Sequence, residues 1–240
     1  VENKTIPLVL RESKVLIIAP HPDDETFACG GLIAQKKHLG VTVQVLFLSR
    51  GEGAHRNCCA TSEQTIGDTR RHLAEEACSH LGLRPVDLLW CDFPDGAIPG
   101  NTDQIFTEAA LRLSKIFTAC MPTEIYTPHP HDCWPDHGRA TELVLAAIAL
   151  AKWPIEMYFY PVWMWHNLRL RDLGLLKGWQ ALRLDIRPVR EKKQAAITQY
   201  LAATNPVCGI PYCGNLPKGF LDPFRKDHEI FFRQNEDDRL

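Results

Sequence analysis

The stretch Lys14-Val15-Leu16-Ile17-Ile18-Ala19-Pro20-His21-Pro22-Asp23-Asp24-Glu25 runs from an apolar segment of strand length directly into an imidazole and two adjacent carboxylates. The segment reads as a buried strand and the residues after it as the start of a helix. Open α/β sheets place their chemistry at such junctions, beyond the carboxyl ends of the strands. Adjacent carboxylates repel, so holding both ionised in a partly buried turn is costly unless a cation or a shared proton compensates them. A bound metal ion is the simplest such cation.

Outward from this junction, apolar runs of strand length alternate with segments of helical period. Strands are expected over 14–19, 41–49, 86–91, 123–127 and 155–161, and helices over about 26–39, 67–82, 104–120 and 137–151. Gly40 and Gly82 fit helix C-terminal caps. The order predicts an α/β fold, Rossmann-like and doubly wound, with a mainly parallel sheet flanked by helices. Residues 50–66 and 92–103 are rich in turn formers and follow strands on the His21 side, as cleft walls would. Past Trp165 the pattern loosens. Ile186 to Ala203 reads as a helix with Lys192 and Lys193 on its solvated face, followed by turns at Asn205-Pro206, Ile210-Pro211 and Leu216-Pro217. A single domain over 1–240 is expected, with a core of about 14–165 and a C-terminal extension of about 166–240.

The 240 residues are 45% apolar, enough for one substantial core and short for two. A net charge of −2, without a basic cluster interleaved with aromatics, argues against a nucleic-acid partner. No run approaches the roughly 18 to 20 apolar residues of a membrane span. Nine cysteines, an odd number scattered through predicted strands and helices, suggest reduced thiols and a cytoplasmic protein. Cys208 and Cys213 read as loop thiols, since no second close pair completes a four-ligand zinc knuckle with them. Cys29-Gly30-Gly31, inside the first helix, suggests close packing; no G-x-G-x-x-G follows the first strand.

A second chemistry-bearing run, Pro128-His129-Pro130-His131-Asp132-Cys133-Trp134-Pro135-Asp136-His137, follows the fourth of these strands. If the first and fourth strands are neighbours, the two runs face each other across the switch crevice. Imidazole nitrogen with carboxylate oxygen suits zinc, three protein ligands leaving a fourth position open. Together the runs resemble the signatures of the LmbE-like, or PIG-L, family of metal-dependent N-deacetylases, over about residues 14 to 150. That resemblance implies that His21, Asp24 and His137 bind zinc and that Asp23 is the general base. It implies that Arg70 and Asp95, the latter in Asp95-Gly96, contact substrate. A metal-activated water would attack an N-acetylglucosamine-type conjugate, a small molecule, releasing acetate and a free amine. Iron or cobalt would fit the same ligands, and homo-oligomer formation stays open.

The chain departs from the family where a histidine usually stands three residues before the last ligand. That position is Trp134, a substrate-wall residue that can donate only its indole N–H. Three outcomes follow: His131 or His129 substitutes, the metal alone suffices at a lower rate, or catalysis is lost. Leu73 replaces the Glu of an Arg-x-x-Glu helix pattern. Each residue also has a bland reading: His21 as a cap, Asp23 and Asp24 as helix-start preferences, Asp136 as an N-cap, Asp95 as a turn residue, Arg70 as a solvated face. Trp163, Trp165 and His166 read first as a core cluster and second as a sugar-stacking wall. His55 and Arg56 read first as solvated loop residues and second as contacts for an anionic leaving portion. Another amide or carbamoyl substrate, or a silent metal- or sugar-binding protein, are the competing functions.

Overall fold

The apolar run at Lys14–Ala19 sends Val15, Ile17 and Ala19 to one face and Leu16 and Ile18 to the other, and all five are buried. A strand buried on both faces belongs inside a parallel sheet with helices on each side. The computed structural model describes residues 5–56, 58, 60–202, 208, 212 and 216–235. Its strands are β1 (Ile6–Pro7), β2 (Lys14–Ala19), β3 (Thr42–Phe47), β4 (Leu88–Trp90), β5 (Glu124–Pro128), β6 (Glu156–Tyr160), β7 (Trp179–Asp185) and β8 (His228–Gln234). Its α-helices are α1 (Asp24–His38), α2 (Glu63–His80), α3 (Phe106–Cys120), α4 (Pro135–Ala149), α5 (Met164–Asn167) and α6 (Arg190–Leu201).

One eight-stranded sheet runs in the order β1-β7-β8-β6-β5-β2-β3-β4. All pairings are parallel except those of β8 with β6 and β7. Residues of α1, α2 and α6 pack with Val15 and Ile17 in one core layer, and those of α3 and α4 with Leu16 and Ile18 in the other. The fold is the α/β, mainly parallel architecture expected. β2 pairs directly with β5, Leu16 opposite Ile125, so the turn carrying His21 and the first turn of α4 carrying His137 lie side by side.

Several boundaries differ from expectation. α1 begins at Asp24, which puts that carboxylate in its first turn, where the macrodipole favours it. α2 begins at Glu63 because the Ser62 side chain accepts from the Thr65 N–H as an N-cap. α4 begins at Pro135, so Asp136 lies inside its first turn and is not the N-cap. Gly40 and Gly82 take positive φ after α1 and α2, as capping glycines do. Gly31 packs so close that any side chain there would collide with Ile186.

The larger surprise is the extension, which contributes β7 and β8 to the sheet. Lys193 is correspondingly not solvated. It is buried, its Nζ 2.7 Å from Glu229 Oε1, while Glu229 also accepts from the Gly31 and Leu32 N–H groups. α6 therefore docks on the sheet through a charge pair that hydropathy assigns to the surface. The expected turns at 205–206 and 210–211 lie outside the described residues, as do Ala203, Cys59 and Cys213. Cys29, Cys78, Cys91, Cys120 and Cys133 carry free thiols, but Cys58 is disulfide-bonded, against the expectation of reduced thiols throughout. No helix among the described residues is long and apolar enough to cross a membrane.

Candidate metal and active site

The turn after β2 and the loop after β5 deliver two histidines to one point. Asp24 Oδ2 lies 3.4 Å from His21 Nδ1 and 3.2 Å from His137 Nε2. These three ligand atoms lie within 4.8 Å of one another. Each imidazole is turned by carboxylates behind it. His21 Nε2 meets Asp95 Oδ1 at 3.1 Å and Asp136 Oδ2 at 3.2 Å, and His137 Nδ1 meets Asp132 Oδ2 at 2.7 Å. Outer carboxylates of this kind fix the tautomer and ring plane of metal-ligating histidines. Asp132 is itself locked, accepting from the backbone N–H groups of Val162, Trp163 and Met164.

The electrostatics call for positive charge. Burial works to lower the His137 pKa, but the Asp24 charge and the Asp132 hydrogen bond outweigh it and raise the value to about 9. His21 behaves alike: burial opposes protonation, and Asp136, Asp24 and Asp95 raise its pKa well above the ordinary range. Burial favours a neutral Asp95, yet the His21 contact, with help from Arg70 and the Gly53 N–H, holds its pKa at about 2. A site that pulls protons onto two buried imidazoles is one where a cation can replace them. His137 Nε2 and Asp136 Oδ1 are buried and make no hydrogen bond among the described residues, the 3.2 Å approach of Asp24 Oδ2 to that nitrogen being a charge contact without hydrogen-bond geometry. A buried orphan nitrogen is costly unless something not a hydrogen bond satisfies it. The donor set fits a divalent cation held by His21, Asp24 and His137.

Asp23 is set apart from these groups by its backbone, with φ at 131°. A non-glycine residue there is strained by roughly 1–3 kcal/mol and persists only when its surroundings over-determine it. Glu25 Oε2 accepts from the Asp23 N–H at 2.9 Å, and Tyr200 on α6 donates to Glu25 Oε1 at 2.8 Å. Arg70 Nη2 donates to Asp23 Oδ2 at 3.0 Å and also to the Pro22 carbonyl, while Tyr212 donates to the same Oδ2 at 2.6 Å. Burial raises the Asp23 pKa above its ordinary value, against the Arg70 charge and the Tyr212 hydrogen bond, and Asp24 adds to the rise. Glu25, buried beneath, is pushed up by that burial to about 7.

A cavity of about 750 Å³ opens over this constellation, lined by His21, Asp23, Asp24, Arg70, Asp95 and Trp134 among others. Trp134 stacks on Trp163 at 4.5 Å between centroids, and Trp163 leans on Phe220 at 4.6 Å, so the three form an aromatic wall of the cavity. Trp163 thus lines the cavity, whereas Trp165 and His166 do not. Arg70 is buried and paired, not a solvated face, and Leu73 is core. Neither histidine expected to stand in for the missing one reaches the cavity. His129 is buried among Trp179, Phe159 and Phe232, and His131 is likewise not part of the lining. Arg56 lines the rim, and His55 is buried and faces elsewhere.

The sequence reading missed Asp132, Glu25 and Tyr212 and treated Asp136 as a cap. Asp132 and Asp136 lay inside the quoted histidine run, five and one residues before His137, a signal open to reading. Tyr212 had none, because its contact with Asp23 spans 189 residues.

A family model described as GlcNAc-PI de-N-acetylase matches residues 16–148, more than half of the chain. A Bacillus cereus protein named "Probable N-acetyl-alpha-D-glucosaminyl L-malate deacetylase 2" is 29% identical over 142 residues, 58% of this chain and 62% of that one. A 1D-myo-inositol 2-acetamido-2-deoxy-alpha-D-glucopyranoside deacetylase of Mycobacterium sp. (strain KMS) is 26% identical over 167 residues, 62% of this chain and 54% of that one. The chain thus spans less than two thirds of either relative's length. Among solved structures, the 4-carboxy-2-hydroxymuconate hydratase of Pseudomonas putida KT2440 superposes with a TM-score of 0.65 at 20% identity, covering 95% of this chain and 98% of that one. That likeness is one of fold, which by itself does not name a reaction.

Proposed function

The chain belongs to the PIG-L family, and from that membership we propose that it is a metal-dependent N-deacetylase of a small N-acetylglucosamine-type conjugate. The observation that carries the reading is the convergence of His21, Asp24 and His137 beside the separately held carboxylate of Asp23, with His21, Asp23 and Asp24 lining one cavity and His137 buried behind them. The two relatives are named for deacetylation of N-acetylglucosamine-type sugars attached to different groups, malate and inositol, which supports the amino sugar as the common element.

A divalent cation on His21, Asp24 and His137 would supply Lewis acidity, polarising the acetamide carbonyl and lowering the pKa of water to about 7. Zinc is our assignment, and iron or cobalt suits the same donors. Asp23 takes a proton from the attacking water and returns it to the departing amine, and its raised pKa suits both directions of transfer. Arg70 and Tyr212 keep Asp23 aimed and away from the cation's ligand set. Asp95 and Asp136 hold the His21 ring, and Asp132 the His137 ring. Trp134 and Trp163 offer a flat apolar face for the sugar's C–H surface, and Arg70 and Asp95 are the polar groups we assign to its hydroxyls. A cytoplasmic setting is our assignment from the free thiols at Cys29, Cys78, Cys91, Cys120 and Cys133, and the disulfide at Cys58 counts against it.

One observation favours a second reading, a silent relative that binds metal and sugar without turnover. Trp134 cannot deliver a proton, and no second-run histidine besides His137 contributes its ring to the donor set or the cavity. Losing one oxyanion donor typically costs 100- to 1,000-fold in rate. Acetate release from N-acetylglucosaminyl conjugates separates the readings. Release by the metal-loaded wild type supports deacetylation, and release by Trp134→His alone assigns the silent function.

A further inference from the structure

Beside the cavity but outside its lining, the loop after β3 and the segment before Tyr212 bring two sulfurs and an imidazole together. Cys208 Sγ lies 3.5 Å from Cys58 Sγ and 3.5 Å from His55 Nδ1, contacts that span 150 and 153 residues. The three donor atoms all fall within 4.8 Å of one another. None of the three residues lines the catalytic cavity. With Zn–S near 2.3 Å and Zn–N near 2.0–2.1 Å, a tetrahedral ion separates two sulfurs by roughly 3.8 Å and sulfur from nitrogen by roughly 3.6 Å. The observed separations are close to those edges.

We propose that His55, Cys58 and Cys208 form a second cation site, which takes one thiophilic divalent ion such as Zn²⁺ and ties the segment carrying Tyr212 to the loop after β3. Two thiolates and an imidazole form a soft donor set, unlike the oxygen-rich set of the first site, so the two discriminate between metals. The site is coupled to redox state, because Cys58 is disulfide-bonded in this structure. A dithiol reductant gives two electrons to that disulfide and becomes a disulfide itself. The Cys58 bond opens to two thiols, and Cys58 and Cys208 each release a proton to solvent as the ion binds. The consequence reaches the active site through the chain, since Cys208 is four residues before Tyr212, whose hydroxyl holds Asp23. The tie is also anchored from below: the 3-10 turn Glu52–His55 that carries the imidazole is fixed to the cavity by Asp95, which accepts from the Gly53 N–H.

The test is metal stoichiometry and cobalt spectroscopy on the full chain, reduced with dithiothreitol, desalted and loaded with Co²⁺ under anaerobic conditions. The wild type should take two equivalents and show thiolate-to-cobalt charge-transfer absorption. His137→Ala should lose one equivalent and keep that absorption. Cys208→Ser should lose one equivalent together with the absorption, and His55→Asn should shift or weaken the band in a protein whose sulfurs are intact. Absence of the band from reduced wild type, or its survival in Cys208→Ser, overturns the proposal. Because the band is read independently of turnover and of His137, its failure is distinct from any failure of the deacetylase reading.

Discussion

The Tyr212 hydroxyl donates a 2.6 Å hydrogen bond to Asp23 Oδ2, the same oxygen that Arg70 Nη2 reaches at 3.0 Å. A base that must gain and lose a proton is therefore gripped by a phenol from the C-terminal segment and a guanidinium from α2, with the Arg70 carbon 5.2 Å from the Tyr212 ring centroid. Both contacts stabilise the ionised carboxylate, and both are removable one at a time.

Tyr212→Phe removes a hydrogen bond that lowers the Asp23 pKa. The base must be ionised to act, so a higher Asp23 pKa moves the acid limb of the kcat/KM profile to higher pH. The expected outcome is that shift with the plateau reduced by less than 100-fold, read from pH–rate profiles of metal-loaded protein. An unmoved acid limb would show that Tyr212 does not act through Asp23.

Asp23→Asn keeps the size of the side chain and discards the base. Turnover should fall by about 10²- to 10⁴-fold, the usual worth of a positioned general base, while cation content stays as in the wild type. Elemental analysis beside the rate assay checks both halves.

Asp132 accepts four hydrogen bonds, three from backbone N–H groups and one from His137 Nδ1. Asp132→Asn turns an amide NH₂ against donors and loosens the His137 ring. Cation affinity should weaken by about 10- to 100-fold, measured by competition with a chelator. Unchanged affinity would remove Asp132 from the support of the site.

Lys193 and Glu229 form a pair in which both side chains are about 1–2% exposed. Lys193→Ala leaves a buried carboxylate with only its two backbone donors, and should cost about 3–5 kcal/mol in urea unfolding. A change below 1 kcal/mol would show the pair to be solvated in solution.

His129 carries the pH dependence most cleanly. Burial, with some repulsion from His131, lowers its pKa to about 3 in the folded chain, against about 6.5 when unfolded. Below pH 6.5 the unfolded chain takes up a proton that the folded chain refuses, so this residue's contribution is intact above pH 6.5 and is lost as pH falls towards 3. The stability advantage of wild type over His129→Gln should shrink by about 1.1 kcal/mol per pH unit between pH 6.5 and 5, steepening towards about 1.4 below pH 5. Denaturant titrations of both proteins at several pH values read the difference, and a pH-independent difference contradicts it.

Much of the architecture was readable because apolar runs and helical periods alternate cleanly up to Trp165, and capping glycines such as Gly40 and Gly82 mark where helices stop. β7 and β8 were not read, since Trp179–Asp185 alternates only weakly and β8 reaches its place between β6 and β7 by returning from the end of the chain. Lys193 was misplaced for a related reason: a lysine on a predicted helix is assigned to solvent unless its partner is known, and Glu229 is 36 residues away. Within the site, residues on the two strand-end runs were legible because the β2–β5 pairing fixes their distance. Tyr212 and the Cys58–Cys208 contact depend on chain closure that no local pattern encodes.

The most direct test of the account is acetate release from a panel of N-acetylglucosaminyl conjugates by zinc-loaded wild type, with Asp23→Asn and His137→Ala in parallel. The account predicts release by the wild type, a loss of about 10²-fold or more in Asp23→Asn with zinc retained, and loss of both zinc and release in His137→Ala. Equal release by Asp23→Asn, or no acetate from any conjugate by zinc-loaded wild type, would contradict it.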